Sequence, residues 1–215
     1  MALDDVVHRT RPPAGQPQGA IVLLHGRGTD ENDLFPLIDI LDPDRRLAGF
    51  TLRGPLNLPP GGFHWYRLGG IPTPDPPTFF ASYELVTVWL DSLPGELGVP
   101  PERTLIGGFS QGSVMSYAVS LGQGRPSPAG VIALSGFIPR VPGFSLDLES
   151  RNGLPAALGH GTYDPIIPVE FGREAKEMLE GAGLDVTWRE TPMQHSVDPA
   201  YLTELAGWVA QRVPA

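Results

Sequence analysis

The chain of 215 residues contains no cysteine, which excludes disulfides, thiolate metal sites and cysteine nucleophiles. It also lacks a cluster of basic residues, and its net charge of −9 disfavours nucleic acid and anionic membrane surfaces as partners. The longest strongly apolar runs, such as residues 20–24, are too short to cross a bilayer, and residues 1–5 lack the features of a signal peptide. These absences predict a soluble, cytoplasmic protein without stable membrane insertion, and they leave a homodimer open.

The remaining composition is typical of a folded globular protein, with 41% hydrophobic and 18% charged residues. Predicted strands alternate with predicted helices almost throughout, and several strands are uniformly apolar, as in a parallel sheet covered on both faces. We expect a single α/β domain over residues 1–215, with a mostly parallel sheet, helices on both faces and no large cap domain. Within it, Pro94 is expected to break or restart a helix predicted over residues 79–97.

A Gly-x-Ser-x-Gly pentapeptide at residues 108–112 follows a predicted strand and precedes a predicted helix. This is the context of a nucleophile elbow, in which a tight turn lifts the serine hydroxyl above the sheet. Both flanking positions are glycine because the turn leaves no room for side chains. An inert serine in a glycine-rich turn is the alternative, so Ser110 needs a base, an acid and oxyanion donors elsewhere.

Partners for Ser110 follow from the chain order Ser, Asp or Glu, then His, which is typical of enzymes with such an elbow. Only His160 and His195 follow Ser110 in the sequence. Asp164 is the best acid because it lies in a loop after an apolar strand, and His195 is then the only histidine downstream. We therefore predict that Ser110, His195 and Asp164 form a catalytic triad, with His160 as a structural residue.

Oxyanion donors are expected from two places: the residue after the nucleophile and the loop after an early strand. These criteria select the backbone N–H groups of Gln111 and Arg27. His25, in the same early loop, is an alternative catalytic base, but we interpret it as a structural histidine that binds backbone groups.

Residues 56–78 form a long predicted loop, interrupted by prolines and glycines, and loops of this length are often functional. The loop carries four consecutive aromatic side chains: Phe63, His64, Trp65 and Tyr66. These side chains either pin a surface loop by packing inward or form the wall of a substrate pocket, or a lid, beside Ser110.

Together these motifs resemble the phospholipase/carboxylesterase family of α/β-hydrolases, which includes acyl-protein thioesterases and small bacterial carboxylesterases. The resemblance rests on the Leu-His-Gly-Arg-Gly block at 24–28, the Gly-Phe-Ser-Gln-Gly block at 108–112, the His-Gly-x-x-Asp block at 160–164, and His195. It covers essentially the whole chain. It implies an α/β-hydrolase fold, the triad and oxyanion hole named above, and no metal or organic cofactor.

Two departures from acyl-protein thioesterases, together with the segment at residues 61–67, which looks more like the bacterial carboxylesterases, favour the bacterial carboxylesterase branch. Arg27 stands where the thioesterases usually have leucine, and Gln194 stands where they usually have glycine. We therefore expect a serine carboxylesterase that hydrolyses short-chain or aromatic esters as small-molecule substrates. The alternatives are an acyl-protein thioesterase or lysophospholipase-type hydrolase, and a non-catalytic binding protein that retains the fold.

Overall fold

The computed structural model describes residues 6–214. The helices and strands, in chain order, are β1 (His8–Arg11), β2 (Gly19–Leu24), α1 (Phe35–Leu41), β3 (Leu47–Leu52), β4 (Leu56–Asn57), β5 (Phe63–His64), α2 (Pro76–Leu97), β6 (Thr104–Phe109), α3 (Gln111–Leu121), β7 (Gly130–Leu134), β8 (Pro155–Gly161), α4 (Val169–Gly181), β9 (Asp185–Thr191) and α5 (Pro199–Arg212). None of the helices within residues 6–214 is long and apolar enough to cross a membrane.

Seven of the strands form one sheet in the order β1-β3-β2-β6-β7-β8-β9. The edge strand β1 pairs antiparallel with β3, and every other pairing in the sheet is parallel. The chain starts at the edge strand β1, continues to β2 and then places β3 between these two strands. It crosses from there to β6, on the other side of β2, and adds β7, β8 and β9 in turn up to the other edge. Strand β6 is therefore central, and the carboxyl ends of β6, β8 and β9 lie at the same edge of the sheet.

Alternate residues of the strands pack against different layers of helices. Val22 belongs to the cluster that includes side chains of α2 and α3, whereas its neighbour Ile21 packs with α1 and α5. In the same row as Val22, Val131 belongs to a third cluster, which includes α3 and α4. Helices α2, α3 and α4 thus cover one face, and α1 and α5 cover the other, which confirms the predicted architecture.

Helix α2 differs from the prediction at Pro94, which neither ends nor restarts the helix. The helix continues to Leu97 and is capped by Gly98, which has a left-handed φ of 67° and whose N–H donates to the Pro94 carbonyl. Proline removes one helical hydrogen bond. Because Leu90 and Leu93 on the same turns are buried in the core, we attribute the continuation to their packing.

The segment predicted as an irregular loop, residues 56–78, also contains more regular structure than expected. Strands β4 and β5 form a two-stranded antiparallel pair, separate from the main sheet. Helix α2 begins at Pro76, with the Asp75 carboxylate accepting the Thr78 N–H at its N-terminus. The pair is attached to the loop after β2, because the Gly28 N–H donates to the Phe63 carbonyl.

Candidate active site

Ser110 lies between the end of β6 and the first turn of α3. Its backbone has φ 56° and ψ −120°, a conformation that residues other than glycine rarely adopt. The Ser110 N–H donates to the Leu134 carbonyl on the neighbouring strand at 2.9 Å, which fixes this turn. A strained serine at the carboxyl end of a central strand is the backbone geometry that a nucleophile elbow requires.

Space around the turn explains the two glycines of the pentapeptide. A Cβ atom on Gly112 would lie 1.8 Å from the Leu24 carbonyl oxygen, and one on Gly108 would lie 2.4 Å from the carbonyl carbon of Gly112. Both contacts are with backbone, which cannot move aside cheaply. The sequence-based argument that the flanking positions have no room for a side chain is confirmed.

Three side chains from three strand ends form a continuous line of hydrogen bonds. The Oγ atom of Ser110 lies 2.9 Å from Nε2 of His195, and Nδ1 of His195 lies 2.6 Å from Oδ2 of Asp164. A proton on Nδ1 donates to the carboxylate and leaves Nε2 free to accept the serine hydroxyl. This tautomer is the one in which a histidine can act as a general base towards serine.

The Asp164 carboxylate is fully buried, and its second oxygen is also satisfied. Oδ1 accepts the backbone N–H groups of Ile166 and Ile167 at 2.8 and 2.9 Å, respectively. These bonds fix the orientation of the carboxylate. The carboxylate of Asp164, the predicted acid, is therefore held by its own loop, independently of the histidine that it faces.

The loop that carries His195 packs closely on the end of β8. A Cβ atom on Gly161 would lie 2.3 Å from the Gln194 carbonyl oxygen, so the close approach requires glycine there. The Tyr163 N–H donates to the Met193 carbonyl at 3.0 Å. On the other side, the Phe109 ring lies 4.8 Å, centroid to centroid, from the imidazole of His195. These contacts fix the position of His195, the predicted base, on a loop that the sequence alone leaves unconstrained.

His25 and His160 are both buried, and both bind backbone groups, in agreement with the structural roles predicted for them. Nε2 of His25 accepts the Gly54 N–H, which places its proton on Nδ1, 2.7 Å from the Gly26 carbonyl. Nε2 of His160 lies 2.8 Å from the Ile167 carbonyl and 3.5 Å from the Asp164 carboxylate. Burial lowers the pKa of each imidazole, which favours the neutral form.

The two residues predicted as oxyanion donors, Arg27 and Gln111, both line the space in front of Ser110. Gln111 is the first residue of α3, so its N–H has no partner within the helix and lies at the positive end of the helix dipole. Arg27 lies in the loop after β2, which the Gly28 to Phe63 hydrogen bond holds in place. Their role as oxyanion donors stays a prediction.

The side chain of Gln111 has a second function that sequence reasoning missed. It is buried, and its Oε1 accepts the Trp65 N–H at 3.0 Å while its Nε2 donates to the Tyr66 carbonyl at 2.9 Å. The amide therefore holds the aromatic segment against the elbow. The only signal for this in the sequence is the residue type, since an amide can donate and accept at once.

The aromatic run divides between the two interpretations that the sequence left open. Tyr66 lines the cavity beside Ser110, as a pocket residue should. Trp65 instead packs inward: it is fully buried, and its indole N–H donates to the His25 carbonyl at 2.9 Å. His64 is buried with Nδ1 3.1 Å from the Tyr66 carbonyl, and the Phe63 ring lies under the Arg53 guanidinium. The prediction that Phe63, His64 and Trp65 form the pocket wall is therefore corrected. Phe63 and His64 form strand β5, and Trp65 packs in the core.

A cavity of about 380 Å³ opens in front of Ser110. Its lining is mainly apolar and comes from six separate parts of the chain: Arg27, Tyr66, Leu68, Gly70, Ile71, Ser110, Gln111, Phe137, Ile166, Ile167 and His195. Small-molecule sites commonly have this size and an apolar lining with a few polar groups. In the part of the chain that the structure describes, no group of three or more His, Asp or Glu side chains is arranged to hold a metal ion.

A sequence model of the phospholipase/carboxylesterase family matches residues 77–211, more than half of the chain. The chain belongs to the phospholipase/carboxylesterase family. Among curated relatives in this family, acyl-protein thioesterase 1 of Gibberella zeae is 34% identical over 121 residues, which are 54% of this chain and 51% of the relative. Lysophospholipase-like protein 1 of Mus musculus is 26% identical over 236 residues, which are 99% of this chain and 96% of the relative. The first of these matches spans about half of the relative's length.

Solved structures of two bacterial carboxylesterases have the same fold as this chain. The carboxylesterase of Bacillus cereus superposes with a TM-score of 0.82 at 22% identity, covering 96% of this chain and 94% of that one. A carboxylesterase from Mesorhizobium loti gives a TM-score of 0.81 at 18% identity, covering 94% of this chain and 93% of that one. At these identities the likeness establishes the α/β-hydrolase fold.

Proposed function

We propose that this protein is a serine carboxylesterase that hydrolyses small carboxylic esters through an acyl-enzyme on Ser110. The observation that carries the proposal is the line of hydrogen bonds from Ser110 through His195 to Asp164, which ends at an apolar cavity. Membership of the phospholipase/carboxylesterase family supports it.

In the first half of the reaction, Ser110 Oγ attacks the ester carbonyl while its proton moves to Nε2 of His195. The negative charge that develops on the carbonyl oxygen is stabilised by the backbone N–H groups of Arg27 and Gln111. The C–O bond to the alcohol then breaks, and the proton on Nε2 passes to the departing oxygen. Asp164 keeps the imidazole in the required tautomer and stabilises its cationic form.

In the second half, water takes the place of the alcohol. His195 accepts a proton from the water as its oxygen attacks the acyl carbonyl, and the same two N–H groups stabilise the second oxyanion. The bond from the acyl carbon to Oγ then breaks, and the proton returns from Nε2 to Ser110. The products are a carboxylic acid and an alcohol, and the enzyme is regenerated.

The cavity supports short-chain or aromatic acyl groups as the preferred substrates. Its volume of about 380 Å³ is at the small end of the range for ligand sites, and the apolar lining from Leu68, Ile71 and Phe137 suits a hydrocarbon group. We expect kcat/KM for 4-nitrophenyl esters to be highest for acetate or butyrate, lower for octanoate and lowest for palmitate.

A second candidate is thioester hydrolysis, which the curated relatives named acyl-protein thioesterase favour. The same triad can attack a thioester, so the two functions differ in substrate and share the chemistry. The two functions are distinguished by comparing a butyryl ester with the butyryl thioester whose leaving group differs only in having sulfur in place of oxygen. The ratio of kcat/KM for the thioester to that for the ester is compared with the ratio of their rates of hydrolysis by hydroxide. An enzymatic ratio above the hydroxide ratio would favour thioester hydrolysis over the carboxylesterase proposal.

The decisive control is Ser110→Ala, assayed on the same ester series. Activity in the wild type and its loss in the variant, with an unchanged circular dichroism spectrum, is the expected result. A folded wild type that hydrolyses none of these esters or thioesters would contradict the proposal and would favour a binding protein that retains the fold.

A further inference from the structure

We propose that Arg27 selects esters that carry an anionic group, such as a carboxylate, in addition to the ester bond. This inference rests on the proposed ester hydrolysis and names the class of its substrate. It arises from the side chain of Arg27, whose backbone N–H alone enters the proposed mechanism.

Arg27 has no counter-charge, unlike most of the other arginines that the structure describes. Its guanidinium makes no hydrogen bond and no ion pair with any group of residues 6–214, although it is exposed and lines the cavity. Most other arginines are paired, for example Arg53 with Glu31 and Arg125 with Asp91. In a chain with a net charge of −9, an unpaired cation beside the nucleophile is unusual.

The acidic residues nearest to Arg27 in the sequence have partners of their own. The Asp30 carboxylate accepts the Asn32 N–H, and Asp33 accepts the Thr29 hydroxyl. Glu31 pairs with Arg53. These contacts leave the Arg27 guanidinium without a carboxylate from its own loop.

The cavity wall adds no negative charge. Its titratable groups, apart from the Tyr66 phenol, are Arg27 and His195, and no Asp or Glu side chain lines it. When a substrate fills the cavity, the guanidinium loses water. A neutral substrate leaves this loss uncompensated, whereas a carboxylate restores it with charge-assisted, bidentate hydrogen bonds. The apolar wall accepts the rest of the substrate.

Two pairs of esters, each matched in shape and differing in charge, test the proposal. The first pair is the mono-4-nitrophenyl ester of adipic acid and its methyl ester, with the charge on the acyl side. The second is 3-acetoxybenzoate and its methyl ester, with the charge on the alcohol side. The measured quantity is the ratio of kcat/KM for the anionic ester to that for the neutral one. Both members of a pair use the same oxyanion hole, so the ratio cancels any change in that hole.

We expect Arg27→Gln to lower this ratio about fivefold or more for at least one pair, and Arg27→Lys to retain most of it. The pair that responds identifies the side of the ester that carries the charge. Arg67→Gln is the control, because Arg67 is exposed between the cavity residues Tyr66 and Leu68 but does not line the cavity. It changes the net charge equally and should leave the ratio within twofold of the wild type.

An unchanged ratio in Arg27→Gln for both pairs, or an equal fall in Arg67→Gln, would overturn the proposal. This failure is distinct from failure of the proposed function. If only the role of Arg27 is wrong, the wild type still hydrolyses the neutral esters. If the proposed ester hydrolysis is wrong, the wild type hydrolyses neither member of a pair.

Discussion

The side-chain amide of Gln111 donates to the carbonyl of Tyr66 at 2.9 Å, which joins the residue after the nucleophile to the wall of the cavity. Its oxygen also accepts the neighbouring Trp65 N–H. One side chain thus positions a segment that lies about 45 residues away in the sequence, while the backbone N–H of the same residue is the predicted oxyanion donor. The elbow and the pocket wall are therefore a single hydrogen-bonded unit.

Replacing this amide should weaken both stability and activity. Gln111→Ala leaves the Trp65 N–H and the Tyr66 carbonyl buried without partners, which we expect to cost about 3 kcal/mol of unfolding free energy. We also expect kcat to fall by about tenfold or more, because a wall displaced by 1 Å misplaces the substrate. Urea unfolding and ester hydrolysis measure the two effects. Gln123→Ala, at an exposed position, is the matched control; a Gln111→Ala variant that resembles it in both assays would contradict the role assigned to the amide.

The close contact at Gly112 predicts a position that accepts no side chain. Gly112→Ala places a methyl group 1.8 Å from the Leu24 carbonyl oxygen, so the elbow must distort. We expect a loss of about 3 kcal/mol or more in unfolding free energy. Gly207→Ala, in α5 with no atom within 4 Å of the added methyl group, should instead be neutral or stabilising by about 0.5–1 kcal/mol. Equal stability of the two variants in thermal or urea unfolding would show that the contact is not limiting.

Asp164 is predicted to act on the reaction with little effect on folding. Asp164→Asn retains the side-chain volume but disfavours the tautomer of His195 that accepts the serine proton. We expect kcat to fall by about three to four orders of magnitude. Asp147→Asn changes a carboxylate that binds Ser150 in an irregular segment, so kcat should not change. If Asp164→Asn keeps near-normal turnover while remaining folded, the acid is another residue.

The buried histidines predict how stability depends on pH. Burial lowers the pKa of His160 below the unfolded value of 6.5, so the unfolded chain binds the proton more readily than the folded one. The stabilisation is present above pH 6.5 and is lost as pH falls below it. We expect the unfolding free energy to fall between pH 7.5 and 5.5, with His160 contributing about 1 kcal/mol.

His160→Gln isolates this contribution, because glutamine keeps an N–H donor for the Ile167 carbonyl but does not titrate. The measurement is urea unfolding of both proteins at pH 7.5 and 5.5, a range above the titration of the carboxylates. The variant should be less pH-sensitive than the wild type, with the remaining sensitivity coming partly from His25. An identical pH dependence in the two proteins would exclude His160 as its source.

Local patterns were sufficient to predict the parts of the molecule that local sterics determine. The spacing of Gly108 and Gly112 around Ser110 identified the elbow because the turn excludes Cβ atoms. Apolar runs gave the parallel strands, and chain order then selected Asp164 and His195, whose side chains lie within hydrogen-bond distance of each other. The cytoplasmic location and the homodimer stay predictions.

What could not be predicted depends on contacts between distant segments. Helix α2 continues through Pro94 because its neighbours pack in the core, and the helix propensity of proline does not predict such packing. The cavity wall combines Phe137 with Ile166 and Ile167, and no pattern in the sequence groups these residues. The sequence leaves open whether Trp65 packs inward or lines the pocket, and the contact that decides for inward packing is the bond from its indole N–H to the His25 carbonyl, 40 residues away.

The central claim, that His195 activates Ser110 as a nucleophile, is tested most directly by covalent labelling. The protein is treated with a fluorophosphonate, and intact mass and peptide mapping then locate the adduct. We predict one adduct per chain on Ser110, formed at a rate that falls by orders of magnitude in His195→Ala and absent in Ser110→Ala. Labelling at another residue, or at an equal rate without His195, would contradict the account.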